Sequence, residues 1–169
     1  MNRAVFLDRD GTINQNDVRD GRPQGPESVE QFVILPGVRE AIEAFHAAGF
    51  LVIVATNQPA IPRNVIDAMH ALMLKALAID DIKICFHAEA DNCACRKPKP
   101  GLLLEAAKEH DIALAESWMI GDRWRDVEAG KAAGCRTVFI DHGYANEKRP
   151  REPDVIVGSL REAVPYVIK

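Results

Sequence analysis

The sequence predicts an α/β protein: a doubly wound, Rossmann-like, mostly parallel sheet with helices on both faces. Three observations carry this. Short β-rich apolar runs alternate with stretches of helical periodicity. The runs are continuous rather than alternating, as in strands buried on both faces. Polar clusters follow four of them: Asp8 and Asp10, Thr56 and Asn57, the segment leading to Lys97, and Asp122. Ligands of such sheets bind beyond the carboxyl ends of the strands.

The elements follow in order. Arg3–Asp8 reads as a short buried strand that stops at carboxylates. Asn14–Leu35, with Gly21, Pro23, Gly25 and Pro26, reads as a long functional loop. Val38, Ala41, Ile42 and Phe45 form the i, i+3, i+4, i+7 stripe of a helix over Val38–Ala48, opened by Pro36-Gly37 and capped by Gly49. Phe50–Thr56 is the most apolar strand. Arg63–Leu77 reads as helix, Ile82–Phe86 as strand, and Pro100–His110 as helix with proline near its first turn. Trp118–Ile120 is a strand closing on Gly121-Asp122, and Arg125–Ala133 a helix with Gly134 past its end. Thr137–Ile140 and Val155–Val157 are strands, and Leu160–Val167 is the last helix.

At 169 residues the chain is expected to be one domain, 1–169. A chain of this length buries about 70% of its unfolded surface, so its core needs neither disulfides nor oligomerisation, and a monomer is expected. Apolar residues are 47% and charged residues 27%, which excludes a disordered tail or low-complexity scaffold. A net charge of −4 provides no electrostatic reason to expect nucleic acid or an anionic membrane as partner. No stretch approaches the ~20 apolar residues of a membrane span. The apolar run at the N-terminus, Ala4 to Leu7, stops short of the ~7–15 residues of a signal-peptide core, so a cytoplasmic protein is expected. There, clustered thiols point to metal rather than disulfides.

Four short motifs carry chemistry. In Asp8-Arg9-Asp10-Gly11-Thr12, two carboxylates at a strand end suit magnesium, which takes hard oxygen ligands. One of them can attack phosphorus and the other can donate a proton. A plain Asp-Gly turn is the bland alternative. A calcium hand fails, because its sixth and twelfth positions hold Ile13 and Arg19. Thr56-Asn57-Gln58 offers neutral donors to phosphate oxygens, or a helix cap. Arg96-Lys97-Pro98-Lys99-Pro100-Gly101 offers phosphate-binding cations, or a solvated basic loop. Gly121-Asp122-Arg123-Trp124-Arg125-Asp126 places a second acid at a strand end, with Asp126 one helical turn later as support. Here the alternative is that Asp122 caps the following helix. Each motif is weak alone; the order nucleophile, hydroxyl, lysine, acid, each on a different strand, is the strong signal.

In these motifs the chain resembles the haloacid dehalogenase-like phosphatases over Val5 to about Val167. It is most similar to the small branch holding the D,D-heptose 1,7-bisphosphate and histidinol-phosphate phosphatases. The resemblance implies that Asp8 is the nucleophile and Asp10 the general acid/base. It implies that Thr56 and Lys97 hold the phosphoryl group. Asp8, the backbone carbonyl of Asp10, and Asp122 are then the magnesium ligands. Arg96 and Arg123 fall where the heptose branch contacts substrate, and Asn57 and Gln58 would line the pocket. The implied partner is a small phosphorylated metabolite, D-glycero-D-manno-heptose 1,7-bisphosphate before histidinol phosphate.

A second metal site is expected independently. Cys85, His87, Cys93 and Cys95 make a closed set of three thiolates and one imidazole, the composition of structural zinc. The alternative is buried free cysteines beside a surface histidine. The branch carries the same ligands. The loop so tied leads directly into Arg96 and Lys97. Cys135 reads as a core residue, and His46, His70, His110 and His142 as helix-surface or loop residues without convergent partners.

Residues 13–36 are too few for an inserted cap domain, so an open site is expected, with the Asn14–Leu35 loop, the zinc loop and Arg96 setting specificity. Phe86 and Pro59-Ala60 depart from the heptose enzymes, the zinc loop is as short as in the histidinol-phosphate enzymes, and Arg19–Pro26 has the look of an insertion. Two other classes are weighed. A phospho-accepting signalling receiver also uses aspartate, threonine and lysine, but in another order. A zinc-organised binding module would not need Asp8, Asp10, Thr56, Lys97 and Asp122 together. No dinucleotide glycine motif, Walker loop or nucleophile elbow is present.

Overall fold

A computed structural model describes residues 1–169. Strand β1 (Arg3–Leu7) is followed by a small hairpin, β2 (Asp17–Arg19) and β3 (Arg22–Gln24). Then come α1 (Val38–Ala47), β4 (Phe50–Asn57), α2 (Arg63–Ala76), β5 (Asp81–Cys85) and α3 (Gly101–Glu109). The chain continues through β6 (Trp118–Gly121), α4 (Trp124–Ala133), β7 (Arg136–Ile140), β8 (Val155–Val157) and α5 (Leu160–Val167).

Six strands form one parallel sheet in the order β5-β4-β1-β6-β7-β8. From β1 the chain moves outward to β4 and β5, then returns to β6 and moves outward the other way. The strand order therefore reverses between β1 and β6, the place where doubly wound sheets open a crevice. Register brings the strand ends level: Leu7 pairs with Val54 on one side and with Ile120 on the other. Asp8 and Asp122 thus emerge side by side.

Side-chain alternation on β1 divides the core. Val5 and Leu7 join the stripes of α1, α2 and α5, while Ala4 and Phe6 join Leu102, Leu103 and Ala106 of α3. A right-handed crossover in each direction puts helices on opposite faces, which matches this division. The α1 stripe of Val38, Ala41, Ile42 and Phe45 is buried as its spacing requires. Phe45 is fully buried, and truncating it to alanine costs about 3–5 kcal/mol. On the other face α4 lies close to the sheet, because a Cβ on Gly130 would sit 2.6 Å from that of Met119.

Two expectations are corrected. Asn14–Leu35 is not simply loop: Asp20 and Gly21, at φ 52° and 72°, form the two-residue turn of the β2–β3 hairpin, and Val29–Gln31 is a 3-10 turn. His70 is not a surface residue. It lies on the buried stripe of α2 with Ile66, Met69 and Met73.

Candidate active site

The site is built where β1 and β6 end. Asp8 continues β1, its N–H donating to the carbonyl of Ile120 at 3.0 Å. Asp122 continues β6, and Asp126 follows on the first turn of α4. Carboxylate oxygens of Asp8, Asp122 and Asp126 all lie within 4.8 Å of one another, and all three residues are buried. Lys97 enters from the segment after β5. Its Nζ donates to Asp8 Oδ1, Asp126 Oδ1 and the carbonyl of Ala55, each at 2.7 Å.

Electrostatics follow from this geometry. Burial, then the Asp126 carboxylate, push the Asp8 pKa up to about 6, and Lys97 opposes them. Burial and the charges of Asp8 and Asp126 raise Asp122 well above the ordinary carboxylate range. Burial works against the Lys97 ammonium, but Asp126 and Asp8 outweigh it and raise its pKa. Three carboxylates around one ammonium leave two negative charges in surplus, which a divalent cation would balance.

The oxygens show which acids could hold such an ion. Asp126 spends Oδ1 on Lys97 and Oδ2 on the Arg123 N–H at 3.0 Å, so it supports the site rather than reaching outward. Asp122 accepts at Oδ2 from Tyr144 Oη at 2.6 Å and Asn16 Nδ2 at 3.0 Å. Its Oδ1 is buried with no partner. That orphaned oxygen, beside Asp8, has the hard-ligand chemistry magnesium takes. Gly11 makes room: at φ 87°, any Cβ there would lie 2.0 Å from Asp122 Oδ2.

Asp10 is held from three sides. Its Oδ1 accepts from Arg9 Nε and from Asn14 Nδ2, each at 2.9 Å, and its Oδ2 from Gln58 Nε2 at 2.9 Å. Arg9 is fully buried and donates through Nη1 to His70 Nε2 at 3.1 Å. The imidazole is therefore neutral, and burial and the adjacent guanidinium lower its pKa to about 4.

A polar cleft of about 370 Å³ opens over these groups, lined by Asp8, Asp10, Asn57, Gln58, Lys97 and Arg123 among others. Thr56 lies beneath it, buried, with its Oγ1 accepting from Gln58 Nε2 at 2.9 Å. Asn57 clamps the Lys97 backbone, donating to its carbonyl and accepting from its N–H, both at 3.1 Å. Arg123 reaches the cleft, its Nε donating to Glu147 at 2.8 Å. Arg96 does not line this cleft. It lies in a neighbouring cavity of about 220 Å³ with Trp124 and Arg125.

Cys85, His87, Cys93 and Cys95 converge as expected. The sulfurs lie 3.6 Å apart from Cys93 to Cys85 and to Cys95 but only 2.8 Å apart between Cys85 and Cys95, and Nδ1 of His87 is 3.5 and 3.2 Å from Cys85 and Cys95, so the four donors gather at one point more tightly than the edges of a zinc tetrahedron. With ~2.3 Å zinc–sulfur bonds, those edges are about 3.8 Å. Cys135 is a buried free thiol, whose burial raises its pKa to about 12.

The sequence reading missed the segment after β7. His142 Nε2 donates to the Gly11 carbonyl at 2.7 Å, Tyr144 pins Asp122, and Glu147 holds Arg123. It also missed Arg9, Asn14 and Asn16. A charged residue directly after the apolar β1 run, set between the two acids that end it, was a usable signal for Arg9. The later contacts have no local signal.

Known proteins agree with this geometry. The family model described as "HAD-hyrolase-like" matches residues 94–163. A D-glycero-beta-D-manno-heptose-1,7-bisphosphate 7-phosphatase of Bordetella bronchiseptica is 36% identical over 151 residues, 83% of this chain and 82% of that protein. A protein of the same name from Helicobacter pylori is 40% identical over 151 residues, 82% of this chain and 83% of its own. The crystal structure of D,D-heptose 1,7-bisphosphate phosphatase from B. bronchiseptica, complexed with magnesium and phosphate, superposes with a TM-score of 0.82. That likeness has 29% identity and covers 98% of both chains. The strand-end acids, the buried lysine and these relatives together establish that the chain belongs to the haloacid dehalogenase-like phosphatases.

Proposed function

We propose that the chain, acting over residues 1–169, is a magnesium-dependent phosphomonoesterase that works through an aspartyl phosphate on Asp8. Its proposed substrate is D-glycero-D-manno-heptose 1,7-bisphosphate, as the names of its relatives suggest. One observation carries the reading above others: acids from two strands converge within 4.8 Å beside a buried ammonium.

Asp8, Asp122 and the main-chain carbonyl of Asp10 would hold magnesium; the chemistry supplied there is neutralisation of the phosphate oxygens. Lys97 fixes one oxygen of Asp8 and leaves the other for phosphorus. Asp8 attacks, the ester bond breaks, and Asp10 protonates the departing sugar oxygen. Asp10, now a carboxylate, takes a proton from water as that water attacks phosphorus, which frees Asp8 and inorganic phosphate. Gln58 bridges Asp10 and Thr56, so the proton carrier and the phosphate-binding hydroxyl are set together. The burial that raises Asp8 also strips its solvation, which favours attack once charge is balanced.

Cys85, His87, Cys93 and Cys95 would hold structural zinc. The role follows from position: the Arg96 N–H donates to Cys93 Sγ at 3.3 Å, and Lys97 comes next. Zinc would preorganise the strongest cation of the site. All four cysteines are unpaired, which suits the reducing cytoplasm where we place the enzyme, acting as a monomer. No helix is long and apolar enough to cross a membrane.

The test is a phosphate-release screen over sugar phosphates and histidinol phosphate, with magnesium, beside Asp8→Asn. The heptose bisphosphate should be hydrolysed fastest and the variant should be inactive. Faster histidinol-phosphate hydrolysis would move the chain to the other branch. Turnover surviving in the variant would remove Asp8 from its role.

A further inference from the structure

The β2–β3 hairpin forms one wall of the cleft. Its exit passes the proposed acid so closely that a Cβ on Gly25 would lie 2.6 Å from Asp10 Oδ2. Arg22 stands three residues earlier, directly after the turn. Three extended residues span about 10 Å, on the scale of a sugar, which sets the Arg22 backbone that far along the cleft wall from Gly25.

Four cations line this cleft: Arg22, Lys97, Arg123 and Arg125. Three are already neutralised by protein carboxylates. Lys97 is held by Asp8 and Asp126, Arg123 by Glu147 at 2.8 Å, and Arg125 by Glu89 at 3.5 Å. Glu27, which lines the cleft beside the hairpin, and Asp17 of β2 are both paired with Arg19, at 3.2 and 2.8 Å. Arg22 forms no ion pair. Its Nε donates to the Asn146 carbonyl at 3.2 Å, and the terminal nitrogens of its fork remain uncommitted.

The arginine is also held in place. The Asn146 N–H donates to the Gly21 carbonyl at 2.9 Å, and its side-chain amide donates to the Asp20 carbonyl. A turn with two positive φ values and three hydrogen bonds to one asparagine fixes the wall that carries Arg22. Preorganised guanidinium forks suit phosphate, which accepts two parallel N–H bonds.

We infer that Arg22 is a specificity-determining contact, binding the phosphate of a doubly phosphorylated sugar that is not transferred. This rests on the phosphatase reading above and deepens it. Asn146 is then a positioning residue, acting through the hairpin. The reacting end needs a cation because its acids outnumber Lys97; the far end needs none, because its cation waits unpaired.

The test uses the full-length holoenzyme with p-nitrophenyl phosphate as reporter substrate. Competitive inhibition constants are measured for heptose 1,7-bisphosphate and heptose 7-phosphate, which differ only in the far phosphate. Wild type should bind the bisphosphate more tightly. Arg22→Gln should shrink the ratio of the two constants by about tenfold to a hundredfold, the worth of charge-assisted hydrogen bonds. Arg22→Lys, which keeps the charge, should retain part of the ratio and separates charge from hairpin folding. Equal constants for the two esters in wild type, or a ratio unchanged by Arg22→Gln, would overturn the inference while leaving the phosphatase reading intact. Wild type that binds neither ester would overturn the proposed substrate, and the inference with it.

Discussion

Replacing Lys97 with methionine removes one charge and little volume from the centre of the site. Lys97 is 1% exposed, and its ammonium donates three hydrogen bonds of 2.7 Å, two of them to carboxylates. Taking one partner from a buried ionic cluster costs about 3–5 kcal/mol, because the remaining charges cannot reach water. For a domain of this size each kcal/mol lowers Tm by about 2–4 °C, so a fall of about 6–20 °C is expected in chelator. The acids have one escape, which is to bind protons. Burial and the Asp126 carboxylate already push Asp8 up with Lys97 opposing them, and without the ammonium it rises further. The nucleophile shifts towards its protonated form and loses the cation that fixes it, so turnover should collapse. Magnesium restores part of the stability, about 2.7 kcal/mol at a hundred times its Kd. Thermal unfolding with chelator and with magnesium, beside phosphate release, measures both effects. A Lys97→Met protein as stable in chelator as wild type, or one that keeps its turnover, would refute the reasoning.

Three other perturbations separate the parts of the site. Tyr144→Phe removes the 2.6 Å donor to Asp122 Oδ2 but leaves Asn16, so magnesium affinity should fall about tenfold or more, with kcat at saturating magnesium preserved; an unchanged magnesium titration would contradict this. Cys93→Ser, or zinc removal, should lower activity by loosening Arg96 and Lys97 while Asp8 can still be phosphorylated, and unchanged turnover would count against the preorganising role. His70 is neutral when folded, with its pKa lowered from 6.5 to about 4. The unfolded chain therefore binds the extra proton, and this contribution to stability is lost as pH falls from about 6.5 towards 4. Its size is on the order of 1–3 kcal/mol after solvent screening. Unfolding curves of wild type and His70→Gln from pH 7 to 4 should converge as the pH drops, and parallel curves would exclude the mechanism.

Most strands of the main sheet were legible because they are apolar runs, and Val155–Val157 coincides with its expected limits. The acids of the site were legible because a polar residue ending such a run must lie at the sheet's carboxyl edge. The hairpin had a signal that loop composition obscured: Asp20-Gly21 is a favoured pair for a two-residue turn, but its strands are too short and exposed to show periodicity. His70 was hidden by its polarity, although its spacing from Ile66, Met69 and Met73 places it on the buried stripe. Contacts such as His142 with Gly11 join residues 131 apart, and only the folded sheet brings them together. The side chain of Arg96 lies in the cavity beside the cleft, a placement that its position in the sequence does not show.

The claim that Asp8 carries the phosphoryl group is tested most directly with Asp10→Asn, which blocks activation of water and should slow hydrolysis of the intermediate. The variant is mixed with magnesium and heptose bisphosphate, quenched in acid, reduced with borohydride and mapped by peptide mass spectrometry. Asp8 should be the residue converted by reduction, and the conversion should vanish in the Asp8→Asn, Asp10→Asn double variant. Conversion at another carboxylate, or none during turnover, would contradict the account.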